Sequence, residues 1–287
     1  MKFSISRFLA LCILPFSTLT VNAVPPRVPP LVEPATQEYL TGKIVWADVL
    51  STEPNTTARF YGALFGWSSR TLAGDSGKYT VLSNETGPVV GIARGPDRKD
   101  GRPSSRWVPF FSHRSLNAAE NAVASEGGRV LAGATAFPLR GTQLIAMDAE
   151  GAIFGLMDSS VGDPADGKAI EGSLFWANLF SESPDEAARF YRSVAGLDAR
   201  SQGGASHVLV ASGADRASIS PIDVETSVTP TWVPFFLVTD LDRKIKIGIR
   251  LGAKLVVKPR TLNDGMRVVI LVDSLGGVFA LAQPSEK

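Results

Sequence analysis

Two short patterns carry side chains with chemical potential. They are Trp46-Ala47-Asp48 and Trp176-Ala177-Asn178. In an extended strand, alternate residues share a face, so each indole sits beside a carboxylate or an amide. Such a pair could stack on a flat ligand and orient it by hydrogen bonds, with Asp48 as a weak base. The bland reading is a tryptophan in the core and a hydrogen-bonded polar neighbour near a strand end. His113 and His207 are the two histidines and Cys12 the one cysteine, and neither histidine has a partner at recognisable spacing. Each could be a lone general base, but each fits a surface or satisfied histidine better. Asp48, Glu53, Asp148 and Glu150 could be drawn together as oxygen ligands. Glu53 is better explained by a helix start, and Asp148 with Glu150 by a turn. A metal site of imidazole or thiolate is hard to assemble from so few ligands.

These pairs lie inside a repeat. Residues 42–70 align without a gap on residues 172–200, with eleven identities that include Pro54/Pro184 and Ala58-Arg59-Phe60-Tyr61 on Ala188-Arg189-Phe190-Tyr191. Trp107-Val108-Pro109-Phe110-Phe111 recurs as Trp232-Val233-Pro234-Phe235-Phe236, and Asp148, Gly151 and Phe154 recur as Asp273, Gly276 and Phe279. A fixed-period repeat takes precedence over other readings. The apolar runs 44–50 and 174–180 predict buried strands. Proline at the first helical position starts the following helices, with Ser183 and Glu186 placed for a capping box, and Gly66 and Gly196 end them. The Phe-Tyr pairs are expected to pin these helices to the sheet, with the arginines on the solvated face. Second helices are expected near 115–126 and 240–251. The internal prolines of the Trp-Val-Pro-Phe-Phe strands suggest an edge or bulge position. Each unit has the order strand, helix, strands, repeated, which is the α+β class with helices on one face of curved sheets.

At 287 residues, with 44% hydrophobic and 20% charged residues, the chain has globular composition. Its net charge of +1 gives no reason to expect nucleic acid or an anionic membrane as a partner. Residues 1–23 read as a secretory signal: Lys2 and Arg7, an apolar run, then Val21-Asn22-Ala23 before a cut. Cys12 falls within it as an apolar residue, leaving a mature chain without cysteine, periplasmic or secreted and free of the membrane after cleavage. Residues 24–40 carry five prolines and read as a semi-rigid linker without a core, holding the folded part away from the N-terminus. Modules are expected at 41–160 and 171–287, joined by 161–170, a short interval that favours pairing within the chain. Further assembly into an oligomer stays open.

The run strand, (Glu/Ser)-Pro, helix with Ala-Arg-Phe-Tyr, then Trp-Val-Pro-Phe-Phe and a closing Asp-x-x-Gly-x-x-Phe strand resembles the vicinal oxygen chelate superfamily of glyoxalase I, bleomycin-resistance proteins and extradiol dioxygenases. It looks most like the two-module branch related to lactoylglutathione lyase. The resemblance implies paired βαβββ units forming an incompletely closed barrel around a cavity, with metal ligands on the first and last strands of a module. Mapped onto this chain, the first-strand position is Trp46 or Trp176 and the last-strand position is Gly155 or Ala280. None can ligate a metal, and glycine or alanine leaves room that a glutamate would have filled. The expectation is therefore a protein without metal or cofactor. It would bind a small, partly apolar molecule in a cavity faced by Trp46, Asp48, Gly155, Trp176, Asn178 and Ala280. The alternative is a lyase or oxygenase with a relocated metal site that uses Asp48, His113 or His207.

Overall fold

A computed structural model describes residues 26–74, 77–222 and 229–285. The expected signal at 1–23, with Cys12, lies outside these residues. The elements of the first module are β1 (Ile44–Ser51), α1 (Pro54–Phe65), β2 (Ser68–Gly74), β3 (Gly77–Asn84), β4 (Gly87–Arg94), β5 (Ser105–Ser112), α2 (Leu116–Ser125), β6 (Arg129–Phe137), β7 (Gly141–Met147) and β8 (Ile153–Ser159). The second repeats them as β9 (Leu174–Ser181), α3 (Pro184–Ala195), β10 (Asp198–Gly203), β11 (Ser206–Ala211), β12 (Ala214–Pro221), β13 (Thr231–Leu237), α4 (Leu241–Arg250), β14 (Lys254–Thr261), β15 (Arg267–Val272) and β16 (Val278–Gln283).

Each module folds into one eight-stranded mixed sheet, in the order β2-β3-β4-β1-β5-β8-β7-β6 and β10-β11-β12-β9-β13-β16-β15-β14. The fold is α+β, two tandem modules of two βαβββ units each. The strand that opens each unit lies at the centre, where β1 and β5 run antiparallel, as do β9 and β13. The proline strands are thus central rather than edge strands. Pro109 faces Ala47 on β1, while β5 pairs with β8 only from Phe110 onward, so the missing N–H falls before that ladder begins.

Helices from different modules pack together. α2 and α3 share one core with Phe154, Phe190 and Trp232, and α1 and α4 share another with Phe60, Trp107 and Phe279. The repeated motifs cross the boundary. Trp107 Nε1 donates to the Tyr61 hydroxyl (2.9 Å), which donates to Asp273 of the other module (2.9 Å). Its twin runs from Trp232 Nε1 to the Tyr191 hydroxyl (2.7 Å) and on to Asp148 (2.9 Å). Phe60 and Tyr61 meet Phe279 edge-on, and Phe190 and Tyr191 meet Phe154 likewise. The Phe-Tyr pairs therefore pin each helix to the other module's closing strand, so the modules pair within the chain.

The segment 26–40 is not a spacer. Val28 is buried, Leu31 packs with Trp46, Val108 and Phe110 on the first sheet's concave face, and residues 36–40 are tied to the inter-module interval. The Gln37 amide donates to the Val161 carbonyl (3.1 Å), the Asp163 amide to the Glu38 carbonyl (2.7 Å), and the Leu40 amide to the Asp163 carboxylate (2.6 Å). Among the described residues no helix is long and apolar enough to cross a membrane.

Candidate functional site

The faces opposite the helices form two cups, and strand alternation sends Trp46 with Asp48 into one and Trp176 with Asn178 into the other. The two cups differ in what fills them.

In the first, Trp46 is 2% exposed and packs with Val81, Val108, Phe110, Met157 and Leu31. Asp48 Oδ1 accepts from Trp46 Nε1 (2.7 Å) and from the Tyr79 hydroxyl (2.6 Å). Gly91, opposite Asp48 on β4, makes room for this cluster, since a Cβ there would run into Tyr79 and Asp48. The Arg140 guanidinium lies 3.9 Å from the centre of the Trp46 ring, is fully buried, and donates through Nε to the Pro29 carbonyl (2.6 Å). Burial raises the Asp48 carboxyl, opposed by the bonds from Tyr79 and Trp46 and the charge of Arg140. It also drives the Tyr79 hydroxyl well above its ordinary value and lowers Arg140. Gly155 offers no room, because the Phe110 ring occupies the space a side chain would need. This cup is closed.

In the second, the register gives each counterpart. Asn178 faces Ser218 as Asp48 faces Gly91, and Val208 faces Ser218 as Val81 faces Gly91. Counting two residues back along the strand, Ser206 stands where Tyr79 stood. The 125-residue offset that brings Asp148 onto Asp273 brings Arg140 onto Gly265. Both bulky groups are gone, and an open cavity of about 400 Å3 remains, walled by Phe175, Trp176, Phe180, Phe235 and Ile270 with Asn178, Ser218, Ser220 and Arg260. Trp176 Nε1 donates to Ser218 Oγ (2.9 Å), and Ser218 and Ser220 donate to Asn178 Oδ1 (2.7 and 3.0 Å). The polar group is neutral throughout. An adjoining cavity of about 510 Å3 shares Phe180, Ser220, Val257, Arg260 and Ile270. Ala280 is fully buried with Val233 and Ile270 and lines neither cavity.

A larger cavity, about 1040 Å3, lies where the modules meet, between Leu50, Ile145 and Ile153 on one side and Val256 and Val278 on the other, with Arg98 and Arg106 at its wall. Equivalent positions of the two modules line it, since Trp107 and Trp232, Leu131 and Val256, and Ile153 and Val278 each stand 125 residues apart.

The histidines stay out of both cups. His113 Nδ1 accepts from the Ser115 amide (3.2 Å), and burial lowers its pKa. His207 lies one residue from the cup-facing Val208, on the helix side, with Nε2 2.7 Å from Asp185 of α3. Glu150 serves a helix start, accepting from the Glu182 and Ser183 amides (3.0 and 2.7 Å). The capping box expected from Ser183 and Glu186 does not form.

No family model matches the chain. It is 25% identical over 264 residues to the glyoxylase-named protein CFP32 of Mycobacterium tuberculosis, covering 88% of this chain and 98% of that one. It is 25% identical over 263 residues to the anthracycline biosynthesis protein DnrV of Streptomyces peucetius, covering 86% and 95%. Among solved structures, the Mn(II)-bound glyoxalase from Novosphingobium aromaticivorans superposes with a TM-score of 0.59 at 16% identity, over 86% of this chain and 84% of that one. The 2,2',3-trihydroxybiphenyl 1,2-dioxygenase of Sphingomonas wittichii strain RW1 superposes at 0.57 and 12% identity, over 86% and 91%. Two modules of paired βαβββ units, together with these similarities along most of the chain, define the class that it resembles: the fold is that of the glyoxalases and extradiol dioxygenases of the vicinal oxygen chelate superfamily.

The metal that this superfamily's enzymes carry does not fit here. At the mapped positions Trp46, Trp176, Gly155 and Ala280 the chain offers an indole, an indole, no side chain and a methyl group. Among the described residues, no three His, Cys, Asp or Glu side chains gather to hold an ion.

Proposed function

We propose that this chain is an exported, metal-free vicinal-oxygen-chelate protein that binds a small, partly apolar molecule in the second module's cup. One observation carries the reading: of the two repeated tryptophan pockets, the second is open, with Trp176 on its wall beside the neutral Asn178–Ser218–Ser220 group. An indole face and aromatic walls favour a flat body, and the amide and hydroxyls suit polar substituents on its edge. The name of the Streptomyces relative, an anthracycline biosynthesis protein, agrees with a flat ligand. Export rests on the character of residues 1–23, and the modules are taken as 41–160 and 171–287. The relocated metal site gains no support, because Asp48 is in the sealed cup, His113 in a loop and His207 on the helix side.

Titration with the fluorescent probe 1-anilinonaphthalene-8-sulfonate tests the site. We expect one saturable site per chain. Trp176→Ala should weaken it about fivefold, the scale of one aromatic contact of ~1 kcal/mol, while Arg106→Ala in the junction cavity leaves it unchanged. Loss of binding in Arg106→Ala with none in Trp176→Ala would move the site to the junction and end this reading.

A further inference from the structure

The closed cup contains a feature its own packing leaves unexplained. Arg140 is fully buried, and among the described residues only Nε of its three guanidinium nitrogens has a partner, the Pro29 carbonyl at 2.6 Å. Nη1 and Nη2 have none. A core with no task for this group would not retain two unpartnered buried donors. The segment that supplies the Pro29 carbonyl is unusual in a second way. Residues 26–35 pair with no strand, and their one backbone hydrogen bond among the described residues runs from the Val28 amide to the Pro26 carbonyl. The segment is held by what it inserts: the Val28 and Leu31 side chains and one carbonyl oxygen. An apolar body against Trp46 and a carbonyl on a guanidinium are the contacts of a bound ligand. The second cup has neither this covering nor the arginine, and there the cavity is open.

We propose that the first module holds a second binding cup, which the chain's own residues 26–33 occupy as a resident substitute ligand. When this strap lifts, the cup takes a neutral molecule with carbonyl acceptors for Arg140 and an apolar body for the Trp46 face. A neutral ligand is required because Asp48 is already in the cup, holding the protons of Trp46 and Tyr79, and a second carboxylate would be repelled by it. A proline-rich extended peptide meets the requirement, since it brings free carbonyls at low ordering cost to an aromatic wall. The inference concerns the first cup and stands apart from ligand binding in the second.

The test uses the full chain and, as probe, a fluorescently labelled peptide with the sequence of residues 26–35. The wild-type chain should show no saturable binding. The double variant Val28→Asp with Leu31→Asp, which expels the strap, should bind one peptide per chain saturably, and Arg140→Met in that background should weaken this binding at least tenfold. A folded double variant that binds no peptide overturns the proposal, as does binding that Arg140→Met leaves intact. Should the double variant not fold, thiol labelling decides. In a Cys12→Ser background, Leu31→Cys should react under native conditions at least a hundredfold faster than Val108→Cys, whose position is fully buried in the same cup. Equal rates would make the segment fixed core and refute the strap.

Discussion

Tyr61 and Tyr191 each tie one module to the other through a single hydroxyl, which accepts from a buried indole and donates to a buried carboxylate. Tyr61→Phe leaves the buried Trp107 N–H without a partner and takes one bond from Asp273, which Ser105 and the Leu275 and Gly277 amides still hold, so it should cost ~1–3 kcal/mol in urea denaturation. Tyr191→Phe should cost a similar amount, whereas a change of either below about 0.5 kcal/mol would mean that the hydroxyls are solvated. Asp48 and Asp166 should give opposite pH responses. Burial raises the Asp48 carboxyl above 3.8, so the folded state holds that proton more tightly than the unfolded chain. Its contribution is greatest at low pH and is lost as pH rises through the folded value. Asp166 is held down to about 2 by its hydrogen bond from Arg216 and then that from Lys43. The stability it adds is present above 3.8 and is lost as pH falls toward about 2. Asp48→Asn should therefore flatten the fall in stability as pH rises above about 4, and Asp166→Asn should blunt the loss at more acid pH. Denaturation midpoints across pH would check both. At this scale, sequence reading placed Trp46 with Asp48 and Trp176 with Asn178 on shared strand faces and could not tell the two cups apart. Trp46 and Trp176 look alike in the repeat, and their fates are decided by Tyr79 against Ser206 and Arg140 against Gly265, neighbours fixed only by strand register and a turn. Places where the repeat fails, rather than holds, were the missed signal.

At the scale of elements, α3 shows where local rules stop. Its sequence has the Ser-Pro-x-Glu start of a capping box, yet the Ser183 amide that Glu186 would accept from, and the Glu182 amide before it, donate to Glu150 of the first module. A carboxylate at a helix N-terminus meets both the unpaired N–H groups and the positive end of the dipole. Glu150→Ala should accordingly lower stability by ~1 kcal/mol, and Glu186→Ala by less. A larger loss from Glu186→Ala would restore the capping box. The helices and the apolar strands were legible because each carries a periodic buried face. β2 and β10 were not, since they lie at sheet edges with almost every side chain exposed, and so have no alternation to detect. The proline-rich segment misled for the opposite reason. Its composition fits a spacer, and only the shape of the cup gives Val28 and Leu31 a place to be buried.

For the whole molecule, the repeat predicted two modules, and the cores show that neither is complete alone. Both helix-bearing cores draw side chains from both modules. Calorimetry of the full chain should give one cooperative transition, and residues 26–160 alone should give none, because α1 and α2 would face water with their apolar sides. Two separated transitions would show that the interface is weaker than its buried aromatic residues imply. The central claim concerns chemistry: we propose that this chain keeps the fold of the Mn(II)-bound glyoxalase without holding an ion, since among the described residues no three His, Cys, Asp or Glu side chains gather. Elemental analysis of the chain purified without chelator or metal-binding tag addresses it directly. We predict about zero divalent metal per chain and no rise in melting temperature on adding Mn2+. A stoichiometric ion, removed by changing Asp48, His113 or His207, would contradict the account and make a metalloenzyme of this chain.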